Sequence, residues 1–195
     1  MSGPWQLRTA ALEDVAALHR LERELFPGDA WSEDMLAAEI SHETRRYLVA
    51  LQDERIVGYA GVMVVAETAD VQNIAVIPQL RGRGLGSALL QALHEIASRR
   101  GAQEVLLEVR ESNETAQSLY RRFGYTEIAQ RPRYYPDGET AVIMLAPLSA
   151  DGDASEAVGT QRPPSTTDLT SHMDLSAAAH DDPRSGLAAA RPADR

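Results

Sequence analysis

Ile74-Ala75-Val76-Ile77-Pro78-Gln79-Leu80-Arg81-Gly82-Arg83-Gly84-Leu85-Gly86-Ser87 runs from a β-branched strand, through a glycine-rich turn, straight into an apolar helix. Such a turn aims successive backbone N–H groups at one point, at the positive end of a helix dipole, and its glycines remove the Cβ atoms that would keep an anion away. Arg81 and Arg83 can add charge-assisted bonds to a phosphate. A glycine-rich turn alone is weak evidence, because Gly-X-Gly also occurs in loops that bind nothing. A Rossmann dinucleotide site would need the turn in the first βαβ unit and an acidic residue about 20 residues later, at the end of a second parallel strand. Here the glycines follow a strand of a meander and do not open the chain's first βαβ unit, so the Rossmann reading loses.

Upstream, Gln6 to Arg8 reads as a short strand, and Leu12, Val15, Ala16, Leu18, Leu21 and Leu25 recur at helical spacing up to Phe26-Pro27. Ser32 reads as the N-cap of a second helix reaching about Ile40, with Trp31 and Leu36 placed as a hydrophobic staple. Tyr47 to Leu51, Ile56 to Ala66 and Val71 to Val76 are apolar runs separated by Gln52-Asp53-Glu54 and by Glu67 to Asp70, the pattern of an antiparallel meander.

Downstream, Leu85, Ala88, Leu89, Ala92, Leu93, Ile96 and Ala97 mark one face of a long helix that closes in Arg99-Arg100-Gly101. A strand from Val105 to Val109, a helix from Asn113 to Phe123 and strands over Tyr125 to Gln130 and Thr140 to Leu148 follow. Strand–helix–strand crossovers of this kind predict that Val71 to Val76 and Val105 to Val109 lie parallel, with the long helix on one face.

Composition excludes several chemistries. The 195 residues contain no cysteine, so disulfides, zinc-thiolate sites and an acyl-cysteine intermediate are ruled out. All 19 basic residues are arginine, and the formal charge of −10 argues against general nucleic-acid binding. No apolar run is long enough for a membrane helix, and the five histidines show no metal-ligand spacing, so a cytoplasmic protein without a metal is expected. The chain divides into a domain over residues 1–148 and an acidic tail over 149–195, poor in aromatics and expected to be disordered.

Arg81-X-X-Gly84-X-Gly86 resembles the acetyl-coenzyme A signature of the GNAT superfamily of N-acetyltransferases. Leu107-Glu108-Val109-Arg110-Glu111-Ser112-Asn113, Leu119-Tyr120-Arg121-Arg122-Phe123-Gly124-Tyr125 and Arg133-Tyr134-Tyr135-Pro136 are similar to its RimI branch, whose members acetylate the N-terminal alanine of the eighteenth small-subunit ribosomal protein. The resemblance implies an α+β fold: a mixed, mostly antiparallel sheet whose two central parallel strands splay apart, flanked by helices. It also implies acetyl-CoA as co-substrate, with its pantetheine arm along the backbone of Ile74, Ala75 and Val76. Its pyrophosphate would lie on Arg81, Gly82, Arg83, Gly84, Leu85, Gly86 and Ser87, and Asn113 matches a residue that contacts the cofactor.

In the same resemblance Glu108 matches the general base and Tyr120 the general acid, twelve residues apart as the family keeps them. Trp31, Arg133, Tyr134 and Tyr135 become candidates to hold the N-terminal peptide of a ribosomal protein. The chain departs from the common Pro-Trp-Ser of that branch by inserting Gly28-Asp29-Ala30. Each residue also has an ordinary structural role: Glu108 as a solvated strand-end charge, Asn113 as a helix cap, and Tyr120 and Trp31 as packing. Two other functions use the same turn: acetylation of a small amine or an internal lysine, and non-catalytic acyl-CoA binding.

Overall fold

The computed structural model describes residues 5–28 and 30–148; the acidic segment expected to be disordered lies outside them. One seven-stranded sheet organises the chain, built from β1 (Gln6–Thr9), β2 (Arg45–Gln52), β3 (Arg55–Val65), β4 (Thr68–Val76), β5 (Glu104–Arg110), β6 (Thr126–Arg131) and β7 (Ala141–Pro147). Their spatial order is β1-β2-β3-β4-β5-β7-β6, and every neighbouring pair is antiparallel except β4 and β5. The helices are α1 (Val15–Leu25), α2 (Glu33–Ser41), α3 (Leu85–Arg99) and α4 (Glu114–Arg122).

Strand alternation divides the core into two layers. Leu48, Ala50, Ala69, Val71, Val105, Leu107 and Val109 meet Leu85, Leu89, Leu90, Leu93 and Ala97 of α3. Tyr47, Val49, Tyr59 and Ala75 meet Val15, Leu18 and Leu21 of α1 and Leu36 of α2 on the opposite face. Both faces of the central strands are therefore covered, so Tyr47–Ala50 and Val57–Val62 read as continuous apolar runs and not as alternating ones. Each buried leucine of α3 contributes about 1.5–3 kcal/mol through removal from water.

Two boundaries differ from the sequence expectation. The first helix opens with a 3₁₀ turn, Leu12–Asp14, because Asp14 turns its carboxylate back onto the Ala11 N–H at 2.8 Å and onto the Arg8 guanidinium at 2.6 and 2.7 Å. The segment Glu67 to Asp70, expected to connect two strands, belongs mostly to β4. The hairpin needs only Ala66 and Glu67 for its turn, with Ala66 at φ 52°, and pairs Val65 with Thr68. Thr68 and Asp70 hide the strand from a hydrophobicity pattern, although Ala69 and Val71, which alternate with them, are core residues.

Candidate active site

The site is created by two strands that start together and then part. β4 and β5 pair only at Thr68 with Glu104, Ala69 with Val105 and Asp70 with Leu106. Beyond that rung β4 stays with β3 through Val76, and β5 stays with β7 through Arg110. On the far side of Asp70, Gly61 pairs with Asn73 and Val62 with Val71, which leaves Gln72 as an extra residue in β4. Such a bulge bends a strand and raises its twist, and here it carries β4 away from β5. The result is a wedge-shaped gap in the middle of the sheet, bordered by main-chain groups of Ile74, Ala75 and Val76.

The bulge also reverses the phase of β4. Ala69 and Val71 face α3 before it, Ile74 and Val76 do so after it, and Ala75 joins the layer under α1 and α2. Asn73, of the same parity as Ala75, is only 4% exposed, and its Oδ1 has no hydrogen-bond partner among the described residues.

At the mouth of the gap, Gly82 (φ 70°) and Gly84 (φ 92°) take left-handed conformations, and Gly84 is the N-cap of α3. Apart from each glycine's own neighbours in the chain, no atom of the described residues lies within 4 Å of where a Cβ would stand on either one, so that side of the turn is open. Ser32 caps α2 through Met35 N–H at 3.2 Å, and Asn113 caps α4 through Ala116 N–H at 3.0 Å. The amino terminus of α3, by contrast, has no capping side chain and no acidic residue in its first turn, so Leu85, Gly86 and Ser87 present N–H groups toward an anion. Arg83 is exposed beside them, while Arg81 donates from Nε to the Val76 carbonyl at 3.3 Å. This cradle fits a pyrophosphate. Gly84→Ala is expected to weaken coenzyme A binding about tenfold in a calorimetric titration, about 1.4 kcal/mol, because it adds a Cβ at a left-handed position on the open side.

Glu108 lies on β5 beyond the point of parting. Its Oε1 accepts from Arg131 Nη1 at 2.6 Å, and its Oε2 accepts from the Tyr134 hydroxyl. Burial raises its carboxyl above the usual glutamate range, opposed by the Tyr134 hydrogen bond and the Arg131 charge. Tyr120, on α4, is 2% exposed and packs against Tyr125 with ring centroids 5.7 Å apart. Burial raises its phenol as well, so it stays protonated at neutral pH. Tyr125 is held from behind by His94, Nε2 to hydroxyl 2.7 Å, and burial lowers that imidazole to about 4, which keeps it neutral.

The loop before β7 is tied to β5. Arg110 bridges Asp137 at 2.7 Å and Glu139 at 2.6 Å, and its guanidinium stacks 3.9 Å over the Tyr135 ring. The Glu139 carbonyl accepts from the Tyr134 and Tyr135 N–H groups, while Arg133 takes a positive φ of 55°. Tyr134 is thereby brought to Glu108, whereas Tyr135 is buried against Arg110. Trp31 is 5% exposed in the layer between α1 and α2, with its N–H donating to Glu22 at 2.9 Å and its indole Nε1 unpartnered among the described residues. Its visible role is packing. Asn113 performs its capping role. Arg131 and Asp70 escaped the sequence reading: the first precedes the quoted tyrosine motif by two residues, and the second stands in what looked like a connection.

The acetyltransferase (GNAT) family matches residues 15–125. The chain belongs to the GNAT family. An Escherichia coli (strain K12) relative, [Ribosomal protein bS18]-alanine N-acetyltransferase, is 38% identical over 143 residues, covering 70% of this chain and 93% of the relative. An N-alpha-acetyltransferase of Sulfurisphaera tokodaii is 32% identical over 157 residues, covering 74% and 93%. The crystal structure of the ribosomal-protein-S18-alanine N-acetyltransferase from Escherichia coli superposes with a TM-score of 0.68 at 33% identity, over 78% of this chain and 99% of that one. This GNAT protein is an N-acetyltransferase with the family's fold, a mixed sheet with parallel β4 and β5 flanked by helices. GNAT enzymes draw their acetyl group from acetyl-CoA. Among the described residues no helix is long and apolar enough to cross a membrane, and no group of three or more His, Cys, Asp or Glu is set to hold a metal ion.

Proposed function

We propose that this enzyme transfers acetyl from acetyl-CoA to the N-terminal α-amine of a protein, an Ala-initiated ribosomal protein of the bS18 type, by direct transfer without an acyl-enzyme. The observation that carries the reading is Glu108, a partly desolvated carboxylate at the strand gap, gripped by Arg131 and Tyr134. The relatives named for bS18-alanine and N-alpha acetylation support the choice of acceptor.

Acetyl-CoA supplies an activated thioester. The cradle from Arg81 to Ser87 would hold its diphosphate, and the free main-chain edge of Ile74, Ala75 and Val76 would orient its arm and polarise the carbonyl. Glu108 takes a proton from the acceptor nitrogen, and Tyr120 gives one to the departing sulfur. A phenol pushed up by burial remains a workable donor, because the same dry surroundings destabilise a thiolate too. Arg133 and Tyr134 line the acceptor approach, with Tyr135 and Trp31 supporting it from the core.

An α-amine has a pKa near 8 and a lysine amine near 10.4, so at neutral pH roughly a tenth of the former is neutral and far less of the latter. A modest base such as Glu108 therefore suits an N-terminal acceptor. The test is a peptide panel assayed for acetyl transfer: Ala-initiated, Ser-initiated, Met-initiated and internal-Lys. The Ala-initiated peptide is expected to be the best substrate by at least about tenfold in kcat/KM, and a preference for internal lysine would overturn the assignment.

A further inference from the structure

Glu108 is not the only carboxylate on its face of the gap. Asp70 occupies the last rung that β4 shares with β5, opposite Leu106, and Leu106 and Glu108 have the same parity on β5. The strands open at Asp70, so its side chain stands at the foot of the wedge, two residues below Glu108. It is partly exposed and yet desolvated by the protein crowding it, the situation of a group at the bottom of a cleft. No side chain among the described residues hydrogen-bonds it. Asn73, three positions further along β4 and on the same face because Gln72 is the extra residue, has a buried Oδ1 without a partner. A carboxylate and an amide oxygen, both acceptors, thus share this face of β4, the first at the foot of the gap and the second buried beyond it, and no described residue hydrogen-bonds to either. An ammonium group offers three donors.

We propose that Asp70 is a second acidic group of the acceptor site, which receives the cationic α-ammonium of the peptide beside Glu108 and takes the second of its two protons. The inference rests on the α-amine acceptor reading given above. Its chemistry balances. Turning R–NH3⁺ into an amide forms one N–C bond, breaks the C–S bond of the thioester and removes two protons from nitrogen. Glu108 accepts one and Asp70 the other. Tyr120 protonates the sulfur, one of the two carboxyl protons restores Tyr120, and the remaining one is released to solvent.

The charged surroundings of Asp70 agree with this role. Burial, reinforced by the Glu108 charge, raises its carboxyl to about 7, while Arg131 from β6 and Arg45 from β2 pull it down. Tyr125 feels the Asp70 charge in turn. Two carboxylates coupled in this way titrate as a pair, and the pair can pass a proton near neutral pH.

The test compares the parent enzyme with Asp70→Asn and Asp70→Glu. Asp70→Asn is expected to raise KM for an Ala-initiated peptide about tenfold while KM for acetyl-CoA moves less than about twofold. The acidic limb of its kcat/KM profile is expected to shift to lower pH, because removing one negative charge lets the remaining carboxyl ionise more easily. A merely structural residue would not move that limb. Asp70→Glu is expected to recover most of the peptide KM, and because Asp70→Asn removes a desolvated carboxyl it is expected to melt no lower than the parent at pH 8. An unchanged peptide KM and pH profile in Asp70→Asn, with the parent active, overturns the proposal alone. A parent that acetylates no α-amine peptide overturns the proposal together with the acceptor assignment.

Discussion

Tyr120→Phe is expected to lower kcat by about two to three orders of magnitude, the range for removing a positioned general acid, with KM for acetyl-CoA changed less than about twofold. The ring is 2% exposed and rests on Tyr125, contacts that phenylalanine keeps. No described residue hydrogen-bonds the Tyr120 hydroxyl, so the substitution orphans no buried partner and the melting temperature should stay within a few degrees of the parent. A kinetic loss without a stability loss then reports the proton itself. Steady-state rates with an Ala-initiated peptide make the measurement, and a kcat within about fivefold of the parent would remove Tyr120 from the chemistry.

Glu108→Gln is the second large effect, with kcat/KM expected to drop by about two orders of magnitude or more at neutral pH. Burial sets the carboxyl above its ordinary range, and the base works only when ionised. Activity of the parent should therefore decline as pH falls through that raised value, and the decline assigned to Glu108 should vanish in the variant. Glutamine keeps an oxygen acceptor for Arg131 or Tyr134 and carries no charge to desolvate, so folding should survive. The pH dependence of kcat/KM, recorded for parent and variant on one peptide, decides. A variant with the parent's rate and acidic limb would show that another group removes the amine proton.

The helical stripe of α3 and the glycine turn before it were legible in the sequence because they are local: 3.6-residue periodicity and left-handed glycines leave marks within a few positions. Ser32 was readable as a cap for the same reason, and its Oγ does accept from Met35. Other features were hidden because they are relations between distant segments. Asp70 sits opposite Leu106, 36 residues later, and its polarity made the start of β4 look like a turn. The Arg131 and Tyr134 grip on Glu108 depends on how β6 and β7 fold back, which no spacing announces. Trp31 illustrates a different limit, since an aromatic beside a helix cap suits both a peptide groove and a core, and only its 5% exposure separates them.

The extra residue at Gln72 has a bearing on how such a scaffold diversifies. Because the phase of β4 reverses there, residues of one parity look to opposite layers on its two sides, and the extra residue decides which side chains look into the cleft. If Gln72 paired regularly instead of standing out, Ile74 and Val76 would replace Asn73 and Ala75 on the face of Asp70 and Glu108, whereas deleting Gln72 would straighten the strand and leave Asn73 and Ala75 in place. Substitutions can tune such a pocket gradually, but a register slip that absorbs the extra residue would rewrite its lining wholesale, which makes the pairing of this strand a lever for acceptor preference.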